Sequence, residues 1–182
     1  MSHISVKSEM NPGPVLLQLV RHWGEMAHRW GVSRIVAEIH ALLYFSAKPL
    51  CADDLVEALG VARSHISNGL KELHSWGIVR GVRIPGDRRE HFESIEDTWK
   101  LFEILLDERK RREVDPTLMV LRDTMAQVSD GRGLSAGEIE RLGQMLDFYE
   151  TIDQWYGEMR RLPLVGRVGL LKLGRKAAKW LK

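Results

Sequence analysis

One stretch of the sequence, residues 62–95, decides the fold, and it reads ARSHISNGLKELHSWGIVRGVRIPGDRREHFESI. In its first half, the apolar residues Ile66, Leu70 and Leu73 recur at alternating steps of four and three. This spacing predicts a helix over about residues 63–76, with these three side chains on its buried side. The remaining positions of the helix are small, polar or basic, so its other side is predicted to face outward.

The second half of the stretch changes period. Residues 78–84 and 91–95 contain β-branched and aromatic residues, and apolar and polar residues alternate along them. This pattern predicts two strands. The segment Pro85-Gly86-Asp87 between them has the residues of a tight turn. The stretch is therefore predicted to be a helix followed by a two-stranded hairpin.

Two further helices are predicted before this stretch. One is capped by Ser33 and stopped by Lys48-Pro49, and a short one covers about residues 52–59, with Gly60 making the turn that follows. The predicted order is therefore a helix, a short helix, a turn at Gly60, the helix of residues 63–76 and a hairpin. This order is that of a winged helix-turn-helix. The predicted fold class is mainly α, with a winged helix-turn-helix (two-stranded wing) set in a helical dimerisation scaffold.

The helix of residues 63–76 is the candidate recognition helix, because short polar groups and cations can contact base edges and phosphates in the major groove. The wing adds arginines, which suit the minor groove and its flanking phosphates. The candidate DNA-binding residues are Arg63, Ser64, His65, Ser67, Asn68 and Lys71 on the helix, and Arg80, Arg83, Arg88 and Arg89 on the wing.

The residues of this region also resemble a known family, the GbsR branch of the MarR superfamily. The resemblance extends from about Leu17 to Leu121. It is carried by residues 32–44, 48–50, 59–61, 67–73, 76–80, 85–89, 99–100 and 108–113. It implies a dimeric, ligand-responsive repressor or activator, and some members of the branch regulate osmoprotectant genes. Two positions depart from it: Ala62 stands where relatives tend to have a Ser or Thr cap, and Cys51 fills a cap-like slot. From about Gln127 onward no resemblance is found.

Helices are predicted on both sides of the DNA-binding part. The first carries apolar residues from Leu16 to Trp30, and the last carries them from Leu142 to Met159 at heptad-like steps, after a capping box at residues 135–138. A break is expected at Asp115-Pro116. We expect the first and last helices to form a homodimer interface. The predicted regions are 1–31 (N-terminal tail and dimerisation helix), 32–96 (DNA-binding domain), 97–162 (helical linker and dimerisation region) and 163–182 (basic tail).

Composition narrows the class of protein. The net charge is only +2 and the chain has one cysteine, which favours a reducing, cytoplasmic location without disulfides. No apolar run is long enough for stable membrane insertion, and no phosphate loop, nucleophile elbow or metal-ligand signature is present. His22, Glu25 and His28 recur every third residue, but this spacing winds them around the helix. The sequence therefore predicts no enzyme, no metal and no cofactor, with double-stranded DNA as the partner.

Three tryptophans, Trp23, Trp30 and Trp99, form a candidate site for a small-molecule effector. Their rings could cage a quaternary ammonium group by cation–π attraction, although aromatic residues more often serve packing.

Two other interpretations of the chain stay open. The basic tail after Pro163 is expected to be disordered or weakly helical; the alternatives are that it has nonspecific DNA affinity or lies on an anionic membrane. The protein could then be a membrane-associated regulator. Alternatively, its winged helix could be a protein-interaction module.

Overall fold

The computed structural model describes residues 12–129, 133–170 and 173. The chain divides into two units, Met1–Ile104 and Leu105–Lys182. Its helices and strands, in chain order, are α1 (Pro14–Arg29), α2 (Arg34–Phe45), β1 (Leu50–Cys51), α3 (Ala52–Leu59), α4 (Arg63–Ser75), β2 (Val79–Arg83), β3 (Glu90–Ser94), α5 (Thr98–Arg109), α6 (Asp115–Ser129) and α7 (Ala136–Arg161). The described part of the tail is helical over residues 164–170, and the rest of the tail, except residue 173, lies outside the described residues.

Helix α2 is the centre of the first unit. Every residue from Val36 to Leu43 is buried, because α1, α3, α4 and the sheet all pack around this helix. An α-helix that is apolar on most sides is stable only when it is surrounded. Gly24 of α1 faces α2 so closely that an added Cβ would lie 2.6 Å from Cγ of Glu38. The helices of the first unit therefore form one core around α2.

The wing contains one strand more than the sequence predicts. Strand β3 lies in the middle of an antiparallel sheet of order β1-β3-β2, and β1 pairs Leu50 with Phe92 and Cys51 with His91. Two residues are too few to show the alternation by which a strand is recognised in sequence. The predicted fold class is confirmed, and β1 joins the base of the wing to the start of α3.

The break expected at Asp115-Pro116 is wrong. Residues Lys110–Val114 form a π-helical turn that leads directly into α6, and the amide of Asp115 donates to the carbonyl of Lys110. A proline ring clashes with the carbonyl four residues before it in a regular helix. A wider π turn moves that carbonyl aside, so the helix passes Pro116 without ending.

Helix α7 begins where the sequence predicts it. The carboxylate of Glu138 accepts hydrogen bonds from the amide and hydroxyl of Ser135, at 2.8 and 2.7 Å. This arrangement satisfies a free donor at the helix start and places a negative charge near the positive end of the helix dipole. Pro163 follows the end of α7, as expected.

Candidate nucleic-acid interface

Helix α4 presents two chemically different sides, as the sequence predicts. Ile66, Leu70 and Leu73 are buried, with at most 4% of any of them exposed. The candidate DNA-binding residues of this helix, Arg63, Ser64, His65, Ser67, Asn68 and Lys71, are all exposed. Its cap position is Ala62, which makes no side-chain hydrogen bond to the helix. The amides of the first turn are therefore not occupied by a capping side chain.

Gly69 lets α4 approach α2 closely. A Cβ at this position would lie 2.5 Å from Cδ1 of Ile39, closer than two carbon atoms can come without a shift. This close approach fixes the rotation of α4 about its own axis. Because of this contact between α4 and α2, Ser67 and Asn68, which precede Gly69, face outward.

The cations of the candidate interface fall into two groups. Three of them are already paired with acids of the fold: Arg63 with Asp53, Arg80 with Glu93 and Arg89 with Asp87. The other three are exposed and have no ion pair with any described residue: Lys71, Arg83 and Arg88. The sequence pattern does not distinguish these six cations, because it does not show which acids lie beside Arg63 and Arg80, and it indicates Asp87 only as a residue of the turn.

The pairing of Arg89 is the most developed of these contacts. Its Nε lies 3.0 Å from both carboxylate oxygens of Asp87, and a second guanidinium nitrogen lies 2.5 Å from Oδ2. The amide of Arg89 also donates to Oδ1 of Asp87, at 3.0 Å. These hydrogen bonds hold the pKa of the Asp87 carboxyl well below its usual range. The pair stiffens the tip of the wing and turns Arg89 back toward the protein.

Two concave surfaces bring the candidate residues together. One, of about 410 Å³, lies between α4 and the wing and is lined by Arg63, Ser67, Lys71 and Arg89 among others. The second, of about 600 Å³, lies on the wing itself and is lined by Arg83, Arg88 and Arg89 among others. The two elements that the sequence assigns to DNA therefore border a common groove.

Polar contacts hold the base of the wing to the rest of the unit. Nε2 of His40, a buried residue of α2, lies 3.2 Å from Oγ of Ser94 on β3. Burial lowers the pKa of His40 to about 4, so this histidine is neutral near pH 7. His91 is also buried, and its Nδ1 lies 3.1 Å from the backbone oxygen of Arg89.

The three buried polar residues His40, His91 and Asp54 are not indicated by the sequence pattern. His40 and His91 lie on apolar-rich segments and look like ordinary core positions. Asp54 looks like an ordinary acid in the first turn of a helix, yet its carboxylate accepts a hydrogen bond from the amide of Cys51 at 2.8 Å. The one signal in the sequence is that a histidine or an acid occurs among apolar residues that are expected to be buried.

The tryptophans of the candidate effector site lie on two helices of the first unit. Trp23 is partly buried on α1, Trp30 follows the end of that helix with 57% of its surface exposed, and Trp99 on α5 is 45% exposed. None of the three lines either groove at the wing. Their role as a ligand cage stays a prediction.

Two proteins of Bacillus subtilis strain 168 are similar to the chain in sequence. The HTH-type transcriptional repressor OpcR is 22% identical over 147 residues, which covers 79% of this chain and 80% of the relative. YvaV, whose name describes a proposed HTH-type transcriptional regulator, is 22% identical over 159 residues, covering 80% of this chain and 90% of the relative. No family model matches the chain.

Among solved structures, one described as a transcriptional regulator superposes with a TM-score of 0.60. It has 16% sequence identity and covers 80% of this chain and 95% of its own. The chain therefore has the winged-helix fold of transcriptional regulators, as the resemblance to the MarR superfamily implies. Among the helices of the described residues, none combines the length and the apolar character needed to cross a membrane.

Proposed function

We propose that the protein is a transcriptional regulator that binds double-stranded DNA in a sequence-specific way as a homodimer. The observation that carries this proposal is the outward side of α4. It presents Ser64, Ser67 and Asn68, all exposed, on a helix whose opposite side is locked into the core. A rigid helix with short hydrogen-bonding groups can enter the major groove closely enough to contact base edges.

Within the proposed interface, base reading and phosphate binding fall to different residues. The amide of Asn68 matches the adenine edge, which offers one donor and one acceptor. Lys71, Arg83 and Arg88 supply positive charge that no described residue neutralises, so they suit the DNA backbone. The other three cations can bind a DNA phosphate only after they leave the acids with which they are paired; they are Arg63, Arg80 and Arg89. The remaining candidate, His65, lies exposed beside them on α4.

The homodimer is supported by apolar side chains of the second unit that face outward in the single chain. Met145, Phe148 and Trp155 of α7 are 50%, 57% and 60% exposed, and Met119 and Val120 of α6 are each 64% exposed. Burying a large apolar side chain stabilises an assembly by about 1.5–3 kcal/mol, so such a group favours a partner surface. Two-fold symmetry would present two copies of α4 to a pseudo-palindromic operator.

Only some of the apolar residues of α7 are available to a second protomer, because others already pack within the chain. Leu142, Tyr149, Ile152 and Tyr156 are partly buried, and the hydroxyl of Tyr156 donates to Asp107 at 2.5 Å. The proposed dimer surface therefore centres on Phe148 and Trp155.

Three finer statements belong to this proposal. The chain is a member of the GbsR branch, it responds to a small-molecule effector held by the tryptophans, and its regions divide at residues 31, 96 and 162. The resemblance of residues 17–121 to the GbsR branch supports the first two, and the changes in sequence pattern along the chain support the third.

DNA binding is tested by titrating duplex DNA of random sequence at several salt concentrations. The wild type is expected to bind with log K falling linearly with log salt, by about 0.9 units for each phosphate contact. The triple variant Lys71→Ala, Arg83→Ala, Arg88→Ala should lose most of this slope. Arg141→Ala, which removes an exposed cation from α7, should leave it unchanged. Equal slopes for all three proteins would contradict the proposed interface.

The dimer is tested by light scattering of the full chain. The double variant Phe148→Glu, Trp155→Glu should shift the mass from dimer to monomer, and Gln154→Glu, an exposed polar position of the same helix, should not. A monomeric wild type that binds DNA with full affinity would contradict the two-fold arrangement.

A further inference from the structure

Three side chains with metal-binding chemistry meet at the base of the wing, where Cys51 borders the groove between α4 and the wing. Cys51, Asp54 and His91 each offer one ligand atom, and these atoms all lie within 4.8 Å of one another. All three residues are buried, with 1%, 5% and 4% of their surfaces exposed. Cys51 and His91 are directly opposed in the register of β1 and β3, and Asp54 lies one helical turn after Cys51.

We propose that Cys51, Asp54 and His91 form a binding site for a divalent transition-metal ion of the zinc class. A thiolate, an imidazole nitrogen and a carboxylate oxygen are the three ligand types that zinc takes in proteins. A fourth position would remain for water or for another oxygen. Oδ2 of Asp87 lies 3.6 Å from Nε2 of His91 and is one such oxygen.

The histidine is already oriented as a metal ligand requires. The backbone oxygen of Arg89, 3.1 Å from Nδ1 of His91, can only accept a hydrogen bond, so Nδ1 carries the proton. In the neutral imidazole, Nε2 is then the nitrogen with the free electron pair. Metal-bound histidines generally donate their other N–H to a carbonyl or carboxylate in this way.

The carboxylate is also held in place. Oδ2 of Asp54 accepts a hydrogen bond from the amide of Cys51 at 2.8 Å, which ties the acid to the same strand end that carries the thiol. Metal–ligand bonds of about 2.0–2.3 Å place tetrahedral ligand atoms roughly 3.5 Å apart. The three groups therefore need to close by about an ångström, which is within the reach of side-chain rotation.

The charges balance in the bound state. A thiolate and a carboxylate neutralise a dication, and the histidine stays neutral, so the Arg89–Asp87 pair beside the cluster can persist. Burial raises the pKa of the Cys51 thiol, so the unbound site is protonated and metal binding releases that proton. The bound ion would join β1, β3 and the first turn of α3, and would fix the wing relative to the helix-turn-helix.

No spacing pattern indicates this site, because its ligands are 3 and 37 residues apart on separate elements. The three acidic and histidine positions on α1 that the spacing suggested, His22, Glu25 and His28, are exposed and do not form such a group among the described residues.

The test uses the full chain stripped of metal by a chelator and titrated with Co²⁺ in the absence of DNA. We expect one equivalent to produce a sulfur-to-cobalt charge-transfer band together with the visible bands of tetrahedral Co²⁺. The band reports on Cys51 alone, because the chain has a single cysteine. Competition with Zn²⁺ should abolish the band, and saturating Zn²⁺ should raise the melting temperature by about 5 °C or more.

Variants assign the remaining ligands. Cys51→Ser should remove the band, and His91→Gln should weaken Co²⁺ binding by roughly 100-fold or more, beyond the loss typical of a residue that only orients a ligand. His28→Gln is the matched control and should change nothing. No band with wild-type protein at stoichiometric Co²⁺, or tight binding that survives Cys51→Ser, would overturn the proposal. Neither result depends on DNA binding, so its failure is distinct from failure of the proposed regulator function.

Discussion

Helix α4 and the β2–β3 wing carry the proposed DNA-contacting residues, and they are attached to the protein in different ways. Helix α4 is seated by buried apolar side chains and by the close approach of Gly69 to Ile39. The wing also has buried apolar residues at its base, Ile78 and Val79, but it depends in addition on polar contacts, those of His40 with Ser94 at the base and of Asp87 with Arg89 within the tip. Apolar packing contains no group that titrates, whereas the contact of His40 responds to pH and the exposed ion pairs of the wing respond to salt.

The same difference decides which cations are free. The outward side of α4 is separate from its buried side, so Lys71 is not used in holding the helix. On the wing, Arg80 and Arg89 take part in the contacts that shape the hairpin, and Arg83 and Arg88 do not. In this two-stranded hairpin, therefore, some of the arginines stabilise the hairpin itself and are not available to DNA without breaking an ion pair.

The largest effect is expected from acid, through His40 at the contact between α2 and the wing. Its pKa is about 4 in the folded protein against 6.5 for the unfolded chain, so the unfolded state binds more protons between these values. Stability should therefore fall as the pH falls through this window, by about 3 kcal/mol in total from this group. Urea unfolding of the wild type and of His40→Gln across the window measures it.

Because carboxylates also titrate in acid, the informative quantity is the difference between the two proteins. The wild type should lose more stability than His40→Gln as the pH falls, and His28→Gln should behave like the wild type. Parallel stability curves for wild type and His40→Gln would show that the wing is not sensitive to pH through this residue.

The second effect concerns the packing contact between Gly69 of α4 and Ile39 of α2. Gly69→Ala places a methyl group against Ile39 and should lower the free energy of unfolding by about 1–3 kcal/mol. Gly157→Ala on α7 meets nothing within 4 Å and should instead raise it by about 0.5–1 kcal/mol. Thermal and denaturant unfolding compare the two. A Gly69→Ala protein as stable as the wild type would mean that the helix is not fixed by this contact.

The smallest effect separates two neighbouring arginines of the wing. Arg88→Ala should reduce the slope of log K against log salt by about 0.9 for each lost phosphate contact, and so by about 1.8 for a dimer that loses one contact in each protomer. Arg89→Ala should reduce it by less, because Arg89 must first leave Asp87. Titration of the same duplex with both variants makes the comparison. A larger change for Arg89 would show that its pair with Asp87 opens on DNA.

Sequence alone predicted α4 well because its helical period separates buried from exposed residues. The positions of Ile66, Leu70 and Leu73 in the core follow directly from that period. Strand β1 and the pairing of Arg80 with Glu93 could not be read in the same way. Both depend on how chain segments meet in space, and β1 is too short to show a period of its own.

The second unit shows the same limit. The capping box at Ser135 was predicted because its signal is local. The passage of the helix through Pro116 was not, because a π turn depends on backbone geometry that no residue type specifies. The division of the α7 heptad into packed and exposed positions likewise depends on α6.

The most direct test of the account is selection of the protein's preferred DNA from a random duplex pool, with Asn68→Ala run in parallel. The wild type is expected to enrich a pseudo-palindromic motif with half-sites about one helical turn apart. Asn68→Ala should keep the spacing and relax one position in each half-site, at a cost of about 1–3 kcal/mol per half-site, with an unchanged circular dichroism spectrum. A pool with no enriched motif, or the same motif selected equally well by Asn68→Ala, would contradict the claim that α4 reads sequence.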